Sequence, residues 1–370
     1  MREIDLIIIG SGPAGISTAL HLLQQDPAWA KRLLILEKSE HPRQKLCGGG
    51  VTRLGLQTLS GLGFPNPLPI PGAEVDIIHL CYSKRSIYIV DNPVLIIFDR
   101  ARFDEFLVKE ARRRGVEVRE REAVRNLELA PDGIWVVSQK ETYRAKVVVG
   151  ADGSKGLTRR IVSPNGKKIK VARLLEVLVP AKATLPHFAG RYARFDFTPL
   201  QRDLQGYYWE FPSWVEGEPV LNCGIYDARF ATRRRRADLP ALLKSTLAER
   251  GIATESENIQ GHPIHWFSPR ARLSIPRLLL VGDAAGAEPL FGEGIAPALA
   301  YGQIAARAIT EAFVSGDFSF RDYNHQVLTS HLGRYLLLRW CVSWWAYHFS
   351  CSRIFMHLVW KAGKRLTFLY

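Results

Sequence analysis

Paired cysteines are missing from this chain. Its five thiols, Cys47, Cys81, Cys223, Cys341 and Cys351, are odd in number and show no CxxC spacing. That argues against a zinc site, a dithiol motif or a small disulfide scaffold, and reads as reduced thiols in a cytoplasmic protein. The ten histidines carry no metal spacing either, and His262 with His265 is too slight for a ligand set. No metal is expected. Long apolar runs are also absent: the longest uncharged stretch of the tail, Trp340 to Ser352, falls short of the roughly 20 residues a membrane span needs. The apolar run Leu6–Ile9 is short, meets a glycine turn at once and lacks a cleavage site, so no signal peptide is expected. RRM, helix-turn-helix and zinc signatures are absent, and nucleic-acid binding is not expected.

What is present is apolar material and positive charge. At 370 residues the chain is too long for one ordinary domain of about 100–200 residues and comfortable for two. A hydrophobic share of 47% excludes intrinsic disorder and collagen-like sequence. Lys and Arg number 50 against 36 Asp and Glu, and the excess of +14 favours anionic company.

Ile4 to Ile9 is apolar and largely β-branched apart from Asp5, the pattern of a strand buried on both faces of a parallel sheet. It runs into Gly10-Ser11-Gly12-Pro13-Ala14-Gly15, a helical stretch to Gln25, and a second buried strand, Arg32 to Leu36, ending at Glu37. Strand, glycine turn, helix, strand and acid in that order point to a dinucleotide site. Gly10 permits the tight turn, Gly12 admits a pyrophosphate to the backbone, and Gly15 lets helix and strand pack closely. The helix N-terminus faces the phosphates, and Glu37 is placed to accept from a ribose diol.

Residues 61–72 are rich in Gly and Pro, an irregular connection. Residues 74–98 and 171–226 carry the β-branched and aromatic residues of antiparallel strands, with an amphipathic helix, Arg102 to Arg114, between them. The strand Lys146–Val149 leads into Gly150-Ala151-Asp152-Gly153. Another, Arg277–Val281, ends in Gly282-Asp283-Ala284-Ala285-Gly286, ahead of Gly292-Glu293-Gly294-Ile295 and a long helix from Ala296 to Phe313. Asp283 at a strand tip can meet a sugar hydroxyl. A helix opening at Gly294 aims free N–H groups and a positive dipole end at an anion. The nucleotide-binding domain is thus interrupted by a strand-rich insert and resumes near residue 275.

The glycine turn, Asp152-Gly153 and Gly282-Asp283 together resemble the flavoprotein superfamily of p-hydroxybenzoate hydroxylase over residues 1–325. Two departures weaken a hydroxylase assignment: Gly156 stands where that branch usually has Ser, and Ala284-Ala285-Gly286 where it has Ala-His, although Arg159 keeps its later arginine. Pro42-Arg43-Gln44-Lys45-Leu46-Cys47-Gly48-Gly49-Gly50 and Tyr207-Tyr208-Trp209-Glu210-Phe211-Pro212 are similar to two segments of the geranylgeranyl reductase family within it. Arg100-Ala101-Arg102-Phe103-Asp104 is similar to the superfamily's R-x-x-F-D.

The resemblance implies an α/β protein: a Rossmann-like FAD-binding domain (1–60, 99–170 and 271–325) interleaved with an antiparallel β-sheet substrate domain (61–98 and 171–270), then a C-terminal helical segment (326–370). FAD would be held by Gly10, Gly12, Pro13, Ala14 and Gly15, by Glu37 and Lys38, and by Lys45, Cys47, Gly48 and Gly49. Arg100, Val124, Asp152 and Gly153 would add to these, with Gly282, Asp283, Gly292, Gly294 and Ile295. The implied reaction is hydrogenation of isolated double bonds in a polyprenyl chain on a lipid, quinone or diphosphate carrier. Trp209, Phe211 and Phe291 would bind that chain, and Cys47, Tyr207 and Trp209 would form the catalytic set, with a proton from Cys47, Tyr207 or water. Tyr207, Trp209 and Phe211 alternate along a strand and so share one face.

A second GxGxxG is absent, so the electrons come from NAD(P)H docking transiently or from reduced ferredoxin, an acidic donor protein. Arg112 to Arg114 and Arg233 to Arg236 are the runs that would attract either. The alternative enzyme is a flavin monooxygenase or halogenase of the same superfamily; the non-enzymatic one is an electron carrier. The tail has no acid after Asp322, yet holds Arg334, Arg339, Arg353, Lys361, Lys364 and Arg365 with Trp340, Trp344, Trp345 and Trp360. That is the pattern of a peripheral, interfacial segment, and equally of helices covering the substrate domain.

Overall fold

Two eight-stranded sheets organise the computed structural model, which describes residues 2–164, 171–252, 258–350 and 352–366. Cys351 and the side chains of Arg353, Lys364 and Arg365 lie outside the described residues, as do the stretches 165–170, 253–257 and 367–370 of the expected domains.

In the first sheet Arg2–Ile9 runs parallel to Leu33–Leu36 on one side and to Thr142–Gly150 on the other. Glu117–Arg119 and Leu278–Leu280 extend it, also in parallel. Ile7, Ile8, Val147, Val148 and Leu279 are fully buried, which is why these strands read as unbroken apolar runs. Beyond Thr142–Gly150 the pairing turns antiparallel, through Ser274–Ile275 and the hairpin Val124–Ala130 with Gly133–Ser138. Helices Pro13–Gln25 and Ile295–Ser315 lie together at the sheet; a Cβ on Gly302 would stand 2.6 Å from the Thr18 backbone nitrogen.

The second sheet runs, edge to edge, Gln260–His265, Val171–Pro180, Glu218–Asp227, Gly206–Val215, Tyr192–Asp196, Gly72–Tyr82, Arg85–Phe98 and Gly50–Thr52. Neighbours are antiparallel except Tyr192–Asp196 with Gly72–Tyr82, a parallel pair that the sequence pattern does not reveal. Because Gly50–Thr52 pairs here, the Cys47 loop just before it bridges from the first sheet to the second.

Three helices, Tyr323–Thr329, His331–Phe349 and Arg353–Leu366, form the C-terminal segment. Their inner side joins the core of the second sheet: Trp360 packs tilted against Tyr82 and edge-on against Phe197, at 5.3 and 5.6 Å between ring centres, and Tyr347 and Met356 are buried in the same cluster. The outer side leaves Leu338 67%, Trp345 56% and Ile354 76% exposed. Among the described residues, no helix is long and apolar enough to cross a membrane.

Candidate cofactor and substrate site

The glycine turn is shaped by close backbone contacts. Gly10 has a φ of +106°, and a Cβ on it would stand 2.4 Å from the Ala151 carbonyl oxygen; one on Gly15 would meet the Gly10 carbonyl oxygen at 2.0 Å. Gly12 differs, since its Cβ direction meets only the Arg43 guanidinium, at 3.7 Å. Arg43 Nη2 lies 3.2 Å from Asp104 and Nε 3.9 Å from Glu37, and that Nε is buried without a hydrogen-bond partner. An unpartnered cationic donor beside an open turn and a helix start fits a pyrophosphate.

Glu37 is buried and accepts from the Ser11 backbone N–H and hydroxyl, each at 2.9 Å, and from the Ser39 N–H at 3.0 Å. Burial works to raise its pKa, but Arg43 and these donors hold it below the ordinary value, so it is a carboxylate. Lys38 beside it is exposed. Val124 begins its strand two residues beyond Glu122, whose N–H donates to the Glu37 carbonyl at 2.8 Å.

From this turn the loop Arg43–Gly49 crosses to the second sheet. Lys45 Nζ is 3.7 Å from Asp283. The Cys47 thiol accepts from the Gly49 N–H at 3.4 Å and lies close enough to Arg100 to act on its charge. Arg100 also donates twice to Asp104, at 3.0 and 2.8 Å. Burial opposes the charge on Arg100, yet Asp104 and Cys47 raise its pKa, so it is a permanent cation. Gly48 lies against the second sheet, where a Cβ would come within 2.9 Å of the Phe211 ring.

The two later motifs close on the first. A Cβ on Gly282 would stand 2.7 Å from that of Ala14, and Asp283 lies between Lys45 and Gly294. The helix starting at Ile295 has no side-chain cap and no acid in its first turn, which leaves its dipole end available. Gly292 lies under the Tyr226 ring, and Glu293 accepts from Thr52 at 2.5 Å and from the Tyr335 hydroxyl of the tail. Asp152 accepts from the Thr158 N–H and hydroxyl at 3.0 and 2.5 Å. A Cβ on Gly156 would stand 2.0 Å from that carboxyl carbon, so any side chain there would require Asp152 to shift. Arg159 donates to the Ala284 carbonyl at 2.5 Å and ties these two motifs together, while the space beside Gly153 is open.

The aromatic face is continuous. Ring centres are 6.2 Å apart for Tyr207 and Trp209, 6.1 Å for Trp209 and Phe211, and 6.0 Å for Tyr207 and Phe291. The Tyr207 hydroxyl donates to the Phe291 carbonyl at 2.5 Å, and burial holds its pKa far above the ordinary value. Trp209 Nε1 donates to Asn222 Oδ1 at 2.8 Å, and Asn222 Nδ2 donates to the Cys47 carbonyl at 3.3 Å. Asn222 therefore joins the aromatic wall to the thiol loop. Neither Asn222 nor Arg43 is singled out by the sequence; the offset of 175 residues between Asn222 and Cys47 leaves no local pattern to read.

A family model described as FAD binding domain matches residues 3–299. The chain belongs to that family. This FAD-binding-domain protein is 26% identical over 345 residues to digeranylgeranylglycerophospholipid reductase 1 of Methanothermobacter thermautotrophicus, covering 87% of the chain and 80% of the relative. It is 25% identical over 338 residues to digeranylgeranylglycerophospholipid reductase of Thermoplasma acidophilum, covering 86% and 81%. Its structure is similar to that of a geranylgeranyl bacteriochlorophyll reductase-like protein of Thermoplasma acidophilum, with a TM-score of 0.73 at 20% identity over 95% of this chain and 92% of that one. The flavin-dependent brominase Bmp2 shares the fold at a TM-score of 0.67 and 17% identity, over 98% and 94%. The expected Rossmann-like α/β fold and an FAD-binding oxidoreductase with geranylgeranyl reductase-like relatives are thereby met.

Proposed function

We propose that this protein is a reductase that saturates isolated double bonds of a polyprenyl chain with FAD as its cofactor. The observation that carries the reading is the Cys47 loop, which presents a thiol close to Arg100 while lying on the aromatic strand face through Gly48. Relatives named digeranylgeranylglycerophospholipid reductase support a polyprenyl lipid as substrate.

FAD, when bound, supplies a hydride and its electron pair. Gly10, Gly12, Pro13, Ala14 and Gly15 with Arg43 would hold its pyrophosphate, and Glu37 a ribose, with Lys38 and Val124 alongside. Lys45, Gly49, Arg100, Asp152, Gly153, Gly282, Asp283, Gly292, Gly294 and Ile295 would hold the rest. Trp209, Phe211 and Phe291 exclude water and align the apolar chain. Cys47 holds the proton for the second carbon. Tyr207 is the weaker donor, because its hydroxyl is tied to the Phe291 carbonyl. Its role is to fix Phe291.

The electron donor, NAD(P)H or reduced ferredoxin, would meet the exposed Arg233 and Arg236 rather than the other basic run. Arg112 pairs with Glu120, and Arg113 and Arg114 pair with Glu110. The same exposed arginines flank the tail, since Arg234 donates to the Tyr347 carbonyl and Ser350 hydroxyl at 3.0 and 2.5 Å. Exposed Trp344, Trp345 and Phe349 beside these cations suit peripheral contact with an anionic bilayer.

The test is anaerobic incubation of FAD-loaded protein with a geranylgeranyl lipid and a chemical reductant. Uptake of two hydrogens per double bond, read by mass spectrometry, supports the reading. Oxygen consumption with a hydroxylated or halogenated product overturns it.

A further inference from the structure

Asn222 and Gly224 share one face of the strand Glu218–Asp227, with Phe211 directly across from Asn222 and Trp209 across from Gly224. Gly224 leaves room for the indole. A Cβ on it would stand 2.2 Å from Trp209 Cζ2, so the ring lies across the glycine toward its diagonal neighbour. There Trp209 Nε1 donates to Asn222 Oδ1 at 2.8 Å. An indole N–H only donates, so the Asn222 amide has one orientation, oxygen toward Trp209 and nitrogen away. That nitrogen donates to the Cys47 carbonyl at 3.3 Å, and both side chains are buried.

The next two residues of the loop are held as well. A Cβ on Gly48 would stand 2.9 Å from the Phe211 ring and 3.8 Å from Trp209 Nε1. The Gly49 carbonyl accepts from the Phe98 N–H at 3.0 Å. Gly49 has a φ of +76°, and a Cβ on it would stand 2.2 Å from the Phe98 carbonyl oxygen. Phe98 thus fastens the end of the loop through backbone, and Asn222 fastens the residue that carries the thiol.

Resting on the reductase reading for its consequence, the geometry points to Asn222 as a positioning residue: its amide, oriented by Trp209, holds the Cys47–Gly48 peptide on the aromatic strand face and so fixes the thiol relative to a chain lying there. Removing the amide leaves two buried groups without partners, the indole N–H and the Cys47 carbonyl. The loop recovers a partner for its carbonyl by lifting into water, whereas the indole stays over Gly224. Phe211 and Phe291 remain to hold the chain, so the loss falls on turnover rather than on chain binding.

Hydrogen exchange of FAD-saturated protein, followed by mass spectrometry, reads the loop directly. Asn222→Leu keeps the side-chain shape and removes both bonds. An Asp would instead set a second carboxyl beside Glu176, which faces Gly224 from Val171–Pro180 with its Oε2 buried and unpartnered. Exchange in the peptide spanning Arg43–Gly50 should be about tenfold faster in Asn222→Leu and about threefold faster in Trp209→Phe, which frees the amide to turn. The double variant should exchange no faster than Asn222→Leu, because both changes act on one bond. Exchange in the strand Arg2–Ile9 should not change. With a geranylgeranyl lipid, kcat of Asn222→Leu should fall about tenfold while KM stays within about twofold. Wild-type loop exchange in both single variants, additive acceleration in the double, or a raised KM at unchanged kcat overturns the proposal. If Asn222→Leu also loosens Arg2–Ile9, Trp209→Phe decides: faster exchange confined to the loop supports the proposal, and unchanged exchange overturns it. Loop exchange as expected without polyprenyl turnover in the wild type upholds the role of Asn222 in holding the loop and overturns the reductase reading.

Discussion

On one face of the second sheet, Glu176 stands beside the Cys47 loop and the aromatic wall; on the other, Glu210 stands beneath helix Leu239–Glu249. Both carboxyls are buried. Glu210 accepts from Arg250 at 2.6 and 3.0 Å, from His187 at 3.0 Å and from the Tyr208 hydroxyl at 3.1 Å. Burial alone would raise it, but His187 and Arg250 pull it down to about 2. Glu176, with an oxygen left unmatched, goes the other way. The difference teaches that burial does not decide the charge of an acid: full pairing makes a structural anion, and incomplete pairing lets burial push the acid upward.

The largest effect that would sharpen this contrast is Glu210→Ala, which strands Arg250 without its partner. Because Arg250 is about a third exposed and the donor left buried is the Tyr208 hydroxyl, it should cost about 2–3 kcal/mol in urea unfolding; a loss below about 1 kcal/mol would break the structural assignment. Acidity separates the pair next. Glu210, with its folded pKa below the ordinary 4.5, stabilises above that value and loses its contribution as pH falls toward about 2. Glu176, with its folded pKa raised, stabilises fully below 4.5 and loses that contribution as pH rises through about 7. Urea midpoints of Glu176→Gln should therefore gain on wild type across the neutral range; a constant difference would contradict the assignment.

Smaller again is Trp209→Phe, which keeps a ring on the wall but removes the bond to Asn222. About 1 kcal/mol of stability should go, with a fall in polyprenyl turnover at unchanged flavin absorbance. A collapse of melting temperature would make packing in the core, where Trp209 is buried, its main role. The smallest effect on stability is expected from replacing Trp344 and Trp345 with Ser on the outer side of the tail, within about 0.5 kcal/mol. That double variant should nevertheless lose the salt-resistant part of flotation with anionic vesicles, and unaltered flotation would leave the tail as a packing element only.

The parallel sheet and the glycine turn were legible because their determinants are contiguous: an unbroken apolar strand and glycines at fixed offsets. The alternation of Tyr207, Trp209 and Phe211 was legible for the same reason. Arg43, Asn222 and Glu176 were not, because each owes its importance to partners on distant strands or loops. The place of His262 near Lys45 and Asp283 was not legible either, since it depends on the pairing of its strand opposite Leu174. The tail left two readings open in sequence. The structure shows that it packs on the second sheet, through an inner aromatic side that composition alone cannot separate from the outer one.

That inner side changes how the protein should be handled. Tyr335 reaches Glu293, Tyr347 donates to the Leu290 carbonyl at 2.7 Å, and Arg339 lies 5.5 Å from the Phe291 ring. Three side chains of the helix His331–Phe349 thus clamp the loop that precedes helix Ile295–Ser315. A version shortened before His331 to improve handling in solution would unclamp that loop, and any pallor of the product would mimic a defect in flavin affinity. Questions about bilayers are better put to intact chains altered one outer residue at a time.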